Sequence, residues 1–179
     1  MRKFPYILII GLVAMVCSCV SNSDTWSTYY EWRSENLGWL QEQMDKKNND
    51  GTPYYKKVIP AWDSTAYVLM HYFNDTTLTA GNLTPKSTST VDVIYHGRLY
   101  NDVAFDSSYL QTDSVFNTPV SGVITGWQIA LQTMKVGDSC EVIIPYESGY
   151  GYSGSGSIPP YSVLVFGMKL TDITDYETN

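Results

Sequence analysis

Hydrophobic and polar positions follow a helical period in the first part of the chain. Between Thr25 and Lys47 the pattern is interrupted only by Arg33. Its apolar members are Trp26, Tyr30, Leu37, Leu40 and Met44. This spacing predicts an amphipathic helix, which Asp50-Gly51 and the following Pro53 would stop. Three interpretations of its apolar face stay open: it packs on its own domain, pairs with a second copy, or grips a client.

Beyond Pro53 the pattern is typical of strands. Segments 54–59 and 66–73 are rich in aromatic and β-branched residues, and 91–96 alternate strictly, up to Gly97. One later helix is predicted over 126–138, and strands over 140–145 and 163–170 close the domain. Several strands with one helix predict an α+β domain, an antiparallel sheet covered by a helix.

The N-terminus has the layout of an export signal. A basic start with Arg2 and Lys3 precedes an apolar run, 7–16, that is too short to span a bilayer comfortably. The segment Val16-Cys17-Ser18-Cys19 resembles a bacterial lipobox, which makes Cys19 the predicted lipidated residue. An ordinary signal peptide is the alternative. We therefore divide the chain into a lipoprotein signal peptide (1–18), a tether with the N-terminal helix (19–52) and one domain (53–179).

Composition narrows the function classes. The chain has 179 residues, of which 44% are hydrophobic, enough for one good core. A net charge of -7 argues against nucleic acid as a partner. After signal removal and acylation only Cys140 remains as a thiol, in an apolar strand, where we predict a small buried side chain rather than a reactive one.

Reactive chemistry is hard to find in the sequence. The two histidines, His71 and His96, lie far apart and lack metal-ligand spacing, so no metal is expected. The chain has neither a phosphate-binding glycine loop nor a GxSxG elbow. An enzyme built from this sequence should run a reaction that needs no nucleophile, metal or cofactor.

Three segments of the chain, taken together and in their order, resemble a known protein family. They are "VDVIYHGRLYNDVAFDSS" (91–108), "SGVITGWQIALQTMKVGDSCEVIIP" (121–145) and "YGYSGSGSIPPYSVLVFGMKL" (150–170). In order and spacing these segments resemble the FKBP-type peptidyl-prolyl cis-trans isomerases. The resemblance implies a twisted antiparallel sheet wrapped around a short helix, with an apolar pocket between them.

The resemblance also implies site residues. Trp127 would be the floor under a proline ring, with pocket walls from Tyr95, Phe105, Val123, Ile124 and Phe166. Tyr150 would donate its hydroxyl to a substrate carbonyl, the Ile124 N–H would hold another carbonyl, and Asp106 would be the pocket carboxylate. Phe116 and Ile158 are less firmly implied contributors. Each could instead belong to the core or cap a turn.

Two departures from the family pattern bear on activity. "YLQT" follows "FDSS", so Asp106 lacks the basic partner that the family often has, and Ser114 stands where many members carry an aromatic residue. The segment around 60–90 could cover or extend the cleft. These features keep open a binding module with little turnover as the alternative to an isomerase, and, from the helix and anchor, a component of a lipoprotein assembly.

The resemblance and the leader together imply the partners. We expect proline-containing exported polypeptides as clients and a membrane reached through a lipid anchor at Cys19. A homodimer through the N-terminal helix is a further expectation. The expected location is the envelope of a Gram-negative bacterium, at the outer membrane.

Overall fold

The computed structural model describes residues 23–176, with side chains from residue 29 onward. The predicted signal peptide and the predicted lipidation site, Cys19, lie outside the described residues. The regular elements in chain order are α1 Ser23–Asp45, β1 Lys56–Val58, β2 Val68–Tyr72, β3 Thr90–Leu99, β4 Ala104–Ser107, β5 Phe116–Pro119, α2 Thr125–Leu131, β6 Ser139–Ile144 and β7 Leu164–Asp175.

One antiparallel sheet organises the chain. Its strands lie in the order β1-β2-β6-β7-β3-β4, and β5 pairs with the remaining edge of part of β3. The longest pairing joins β3 to β7 and places Tyr95 opposite Met168 and Gly97 opposite Phe166. The predicted α+β class, a twisted antiparallel sheet around a short helix, is confirmed.

The inner face of the sheet packs on α2. Val91, Val93 and Tyr95 point inward from β3, as the alternation predicted, and meet buried α2 residues such as Trp127 and Leu131. The following list gives buried inner-face residues of the other long strands: Val68, Met70, Cys140, Val142, Ile144, Leu164, Phe166, Met168 and Leu170. This layer is the main core and forms one side of the candidate site.

The outer face of the sheet is covered at one end by α1. A second apolar cluster joins Leu40 of α1 to Leu69, Ile143 and Val165 of three neighbouring strands. The buried Asn36 amide oxygen accepts a 2.7 Å hydrogen bond from the Val163 N–H. The helix therefore packs on its own domain, which was one of the three interpretations.

The buried stripe of α1 differs from the predicted one. Tyr30 and Leu37 are 68% and 39% exposed, whereas Asn36 is fully buried and Trp32 and Arg33 are partly buried. Polar residues occupy the buried side because they have specific partners there: the Asn36 side chain bridges the Trp32 carbonyl and the Val163 amide. Apolar periodicity alone could not identify that face.

Two element ends also differ from prediction. Strand β3 does not end at Gly97 but continues to Leu99. Gly97 has a packing role within the strand, because the Phe105 and Phe166 rings occupy the space that a Cβ would need. Helix α2 ends at Leu131, shorter than predicted, although Met134 beyond it is still fully buried. Strands β4 and β5 were not predicted, because their four-residue sequences, AFDS and FNTP, lack a run of aromatic and β-branched residues.

The segment 73–89 lies against the turn between α2 and β6. The buried Asp138 carboxylate accepts hydrogen bonds from the Thr79 hydroxyl, the Asn74 amide and the Lys135 N–H. The Lys135 ammonium donates to the Ala80 carbonyl oxygen, at 2.8 Å. A polar network thus fixes this long segment.

Cys140 is fully buried in β6, and burial raises the pKa of its thiol to about 12. Its Sγ lies 3.6 Å from Met134 Sδ in the main core. This is the environment of a small packing residue. Among residues 23–176, no helix has the length and apolar character needed to cross a membrane.

Candidate active site

A cavity of about 290 Å³ opens between the inner face of the sheet and α2. This volume is near the lower end of the roughly 300–1,000 Å³ typical of small-molecule pockets. It is therefore sized for a small group and not for an extended ligand. Its lining residues are Tyr95, Asp106, Phe116, Gly122, Val123, Ile124, Trp127, Tyr150 and Phe166.

Trp127 is the centre of an aromatic cluster around the cavity. Its ring is met edge to face by Tyr95 at 4.9 Å, Phe166 at 5.3 Å and Phe116 at 6.2 Å between centroids, with interplanar angles of 86°, 90° and 85°. Edge-to-face contact is a favoured aromatic geometry. The three rings therefore fix the indole, which is 4% exposed but lines the cavity.

The turn before α2 closes one side of the cavity with aliphatic groups. Val123 and Ile124 are partly buried against the main core. The Ile124 carbonyl begins the helix by accepting the Trp127 and Gln128 N–H groups at 2.9 and 3.1 Å. The same peptide segment thus positions both the aliphatic wall and the indole.

Tyr95 and Asp106 form a polar corner of the cavity, beside the apolar walls. The Tyr95 hydroxyl donates a 2.7 Å hydrogen bond to Asp106 Oδ2, while the Ser107 N–H donates to Oδ1 at 2.8 Å. Burial and the adjacent carboxylate raise the pKa of Tyr95, so its hydroxyl keeps its proton. Ser108, fully buried, accepts the Tyr95 N–H through Oγ at 2.9 Å and holds the strand beside β4.

Tyr150 approaches the cavity from the loop after β6. Its side chain is 37% exposed, and burial followed by the charge of Asp106 raises the pKa of its hydroxyl. A protonated phenol at the rim of an apolar cavity is available as a hydrogen-bond donor. The loop therefore adds a second polar group to the Asp106 side.

The structure brings together most of the side chains that the resemblance implied. Eight of them line the cavity, including the less firmly implied Phe116. Phe105 is not among the lining residues; its ring packs edge to face on the wall residue Phe166, at 5.5 Å between centroids. Ile158 is also absent from the lining and lies in the main core, 7% exposed.

Gly122 lines the cavity and was missed by sequence reasoning. An added Cβ there would lie 3.1 Å from Pro119 Cγ, so a small residue lets the turn pass close to Pro119. The signal was its place directly before Val123 in the second of the three segments that carry the family resemblance. Ser114 is not a lining residue; it has a φ of 60° in the turn before β5.

The idea that residues 60–90 cover or extend the cleft is wrong for this cavity. None of its lining residues comes from that part of the described chain. The physical reason is the network on Asp138, which holds Thr79 and Asn74 at the opposite end of α2.

Comparison with known proteins identifies the family. Residues 81–171 match the profile described as FKBP-type peptidyl-prolyl cis-trans isomerase, which is about half of the chain. The chain belongs to this family. The matched residues include all of the cavity-lining positions.

Several FKBP-type relatives cover the same domain. The chain is 46% identical over 90 residues to the FKBP-type 22 kDa peptidyl-prolyl cis-trans isomerase of Escherichia coli, which covers 50% of this chain and 43% of the relative. It is 39% identical over 89 residues to FkpA of the same organism, covering 50% of this chain and 33% of FkpA. The chain thus spans less than half the length of these curated relatives.

Solved FKBP-type structures match more of the chain. The crystal structure of Escherichia coli FkpA covers 85% of this chain and 65% of its own, with a TM-score of 0.67 and 27% identity. A peptidyl-prolyl cis-trans isomerase from Pseudomonas syringae pv. tomato covers 82% of this chain and 96% of its own, with a TM-score of 0.65 and 25% identity. The likeness therefore extends beyond residues 81–171.

Proposed function

We propose that the chain is a peptidyl-prolyl cis-trans isomerase that turns X-Pro bonds of exported proteins in the cavity above Trp127. The observation that carries the proposal is the combination of a small cavity with aromatic and aliphatic walls and a polar corner on one side only. A proline ring is compact and apolar, and the peptide carbonyls beside it are hydrogen-bond acceptors. The family to which the chain belongs supports the same reaction.

The reaction needs no reactive group. Rotation about an X-Pro amide meets a barrier of about 18–20 kcal/mol, because the C–N bond loses its partial double-bond character. In the twisted transition state the carbonyl carries less negative charge than in the planar ground state. A dry apolar cavity therefore favours the transition state, and each 1.4 kcal/mol gained accelerates the step about tenfold.

The side chains around the cavity have different roles in this mechanism. Trp127 receives the proline ring on its indole face, between the walls of Phe166 and Val123. The Tyr150 hydroxyl and the Ile124 N–H hold the carbonyls on either side of the rotating bond. Asp106 orients the polar corner through Tyr95 and takes no proton in the reaction.

A protease-coupled assay of cis-trans exchange on a short X-Pro peptide tests the proposal. We expect the unmodified chain to accelerate exchange, and Trp127→Phe or Asp106→Leu proteins that remain folded to be slower by at least about tenfold, the effect of losing 1.4 kcal/mol of transition-state stabilisation. Trp127→Phe is preferred to alanine because a large cavity in this core would cost about 3–5 kcal/mol. Exchange at the buffer rate in the unmodified chain would reject the isomerase.

A non-catalytic or weakly catalytic module that binds proline segments is the second candidate. The observation that favours it is the environment of Asp106: within residues 23–176 its hydrogen-bond partners are Tyr95 and the Ser107 amide, and neither is basic. Binding of a proline peptide without acceleration of exchange would support this candidate.

We also propose that the mature chain is attached to the envelope of a Gram-negative bacterium, at the outer membrane, through an acylated Cys19. The lipobox-like segment supports the anchor, and the exposed Tyr30 and Leu37 on α1 offer a surface for a second copy. A Cys19→Ala chain that loses detergent partitioning supports the anchor, and the mass of the detergent-extracted protein tests the homodimer. Unchanged partitioning would reject acylation at Cys19.

A further inference from the structure

The loop that carries Tyr150 is fixed by two tyrosines on either side. We call residues 146–161 the tyrosine loop. The Tyr146 carbonyl accepts both the Gly149 N–H at 3.1 Å and the Gly151 N–H at 2.8 Å, and the Tyr161 N–H donates to the Gly151 carbonyl at 3.0 Å. The residues before and after Tyr150 are therefore hydrogen-bonded to Tyr146 and Tyr161.

Both of these tyrosines contact Arg33 of helix α1. The guanidinium carbon of Arg33 lies 5.1 Å from the Tyr161 ring centroid and 5.9 Å from that of Tyr146. The two rings are themselves 5.4 Å apart, with an interplanar angle of 69°. A cation within about 6 Å of an aromatic face is attracted by the ring quadrupole. Arg33 therefore links both anchors of the tyrosine loop to α1.

Ordinary polar pairing does not account for the position of Arg33. Its Nε is buried and has no hydrogen-bond partner among the described residues. An unpaired buried donor is unfavourable, so the contact with the two rings has to outweigh that loss. An apolar side chain of similar length at this position would remove the unpaired donor, and such a variant is expected to fold.

Neighbouring residues of α1 hold the far end of the tyrosine loop. The Trp32 Nε1–H donates to Ser162 Oγ at 3.2 Å, and that hydroxyl donates to the Pro159 carbonyl at 2.7 Å. Asn36 of α1 accepts a hydrogen bond from the N–H of Val163, the residue after Ser162. One face of α1 thus secures the loop at both ends.

We propose that Arg33 is a positioning residue for the Tyr150 hydroxyl, and that α1 thereby contributes to the isomerase site. This inference rests on the proposed function only in the role given to Tyr150. Helix α1 lies outside residues 81–171, the part that matches the family profile. The family pattern therefore does not assign it this role.

Arg33→Met tests the proposal on the full chain, with Lys47→Met as the charge-matched control because Lys47 is exposed just beyond α1. We expect Arg33→Met to lower kcat/KM on an X-Pro peptide roughly threefold to tenfold, the size of one cation–π contact. Arg33→Lys, which keeps the charge without the planar group, should recover part of the loss. Lys47→Met should match the unmodified chain.

The Tyr150→Phe background separates positioning from a general structural effect. If Arg33 acts through the Tyr150 hydroxyl, Arg33→Met causes no further loss of kcat/KM in Tyr150→Phe. An equal fold loss in both backgrounds would overturn the proposal, as would unchanged kcat/KM in Arg33→Met alone.

Hydrogen exchange makes the test independent of catalysis. We expect the Gly149 and Gly151 amides to exchange faster in Arg33→Met than in the unmodified chain, while the Val142 amide in the central sheet is unaffected. If the unmodified chain has no isomerase activity, the proposed function fails and this exchange result alone decides the positioning of the loop. Unchanged exchange at Gly149 and Gly151 would overturn it; should Arg33→Met not fold, Arg33→Lys carries the same measurement.

Discussion

The Tyr95 hydroxyl lies 2.7 Å from Asp106 Oδ2, and this hydrogen bond joins the buried strand β3 to the exposed edge strand β4 at the mouth of the cavity. The tyrosine is 6% exposed, whereas the aspartate is solvent-accessible. A buried donor thus fixes the orientation of an exposed carboxylate. Among the described residues, the Ser107 N–H is the other hydrogen-bond donor to Asp106.

Loss of this hydrogen bond should affect activity more than stability. We expect Tyr95→Phe to lower kcat/KM about tenfold, because a hydrogen bond to a charged group contributes about 1.5–3 kcal/mol and orients the polar corner. The free energy of unfolding should fall by less than about 1 kcal/mol, since water replaces the hydroxyl at the exposed Asp106. Tyr109→Phe, at a tyrosine that is 63% exposed, is the matched control. A Tyr95→Phe enzyme with the kcat/KM of the unmodified chain would contradict the role of this hydrogen bond.

Alkaline pH should destabilise the fold. The pKa values of Tyr95 and Tyr55 are raised by burial and then by hydrogen bonds to Asp106 and Glu141, and burial raises that of Tyr146 to about 12. A tyrosine with a raised pKa binds its proton more tightly in the folded state, so its contribution is complete below the ordinary pKa of about 10 and declines above it. Urea unfolding across this range measures the effect.

The matched variant for the pH test is Tyr55→Phe. We expect its free energy of unfolding to decline less steeply above about pH 10 than that of the unmodified chain, because one perturbed phenol is removed. Equal slopes in the two proteins would show that Tyr55 titrates normally in the folded state.

Asp138 is expected to be a stability residue and not a site residue. Its 2% exposed carboxylate accepts two hydrogen bonds from segment 73–89, from Thr79 and Asn74, and a third from the Lys135 N–H in its own turn. Asp138→Asn should lower the free energy of unfolding by about 1.5–3 kcal/mol, because these are hydrogen bonds to a charged group. Denaturant unfolding beside the exposed Asp175→Asn measures this, and an unchanged midpoint would contradict it. The kcat/KM of the folded fraction should be unchanged, since the cavity lies elsewhere.

Gly126 controls how closely α2 approaches the sheet. A Cβ added there would overlap the side chain of the fully buried Ile144. We expect Gly126→Ala to cost about 1–3 kcal/mol, typical of overpacking, and to shift Trp127 relative to the sheet. Gly38→Ala in α1, where an added Cβ meets nothing, is the control and should be neutral or stabilising. Thermal unfolding of both proteins measures the difference.

A double substitution tests whether the cost of Gly126→Ala comes from overlap with the Ile144 side chain. Ile144→Ala removes all three side-chain atoms that a Cβ at Gly126 would overlap, so Gly126→Ala should cost less in that background than in the unmodified chain. Additive effects would show that the two residues do not compete for this space.

Sequence reasoning identified the long strands and α2 because local patterns specify them, whereas the cavity residues came from the family resemblance. The alternation of Val91, Val93 and Tyr95 places one face inward without reference to the rest of the chain. The buried face of α1 was not predictable, because Arg33 and Asn36 are buried only through partners more than 100 residues away, at Tyr146, Tyr161 and Val163. Phe105 is partly buried and contacts the wall residue Phe166, but a sequence pattern does not tell how far its ring reaches toward the cavity.

Because Cys140 is free and buried, it does not make the described fold sensitive to the redox state of the surroundings. Its thiol has no route to an oxidant or to a second chain, since it is sealed between the sheet and Met134. Residues 23–176 are therefore held together by noncovalent contacts, without a disulfide among the described residues. The fold of residues 23–176 thus contains no thiol that an oxidising or a reducing medium could reach.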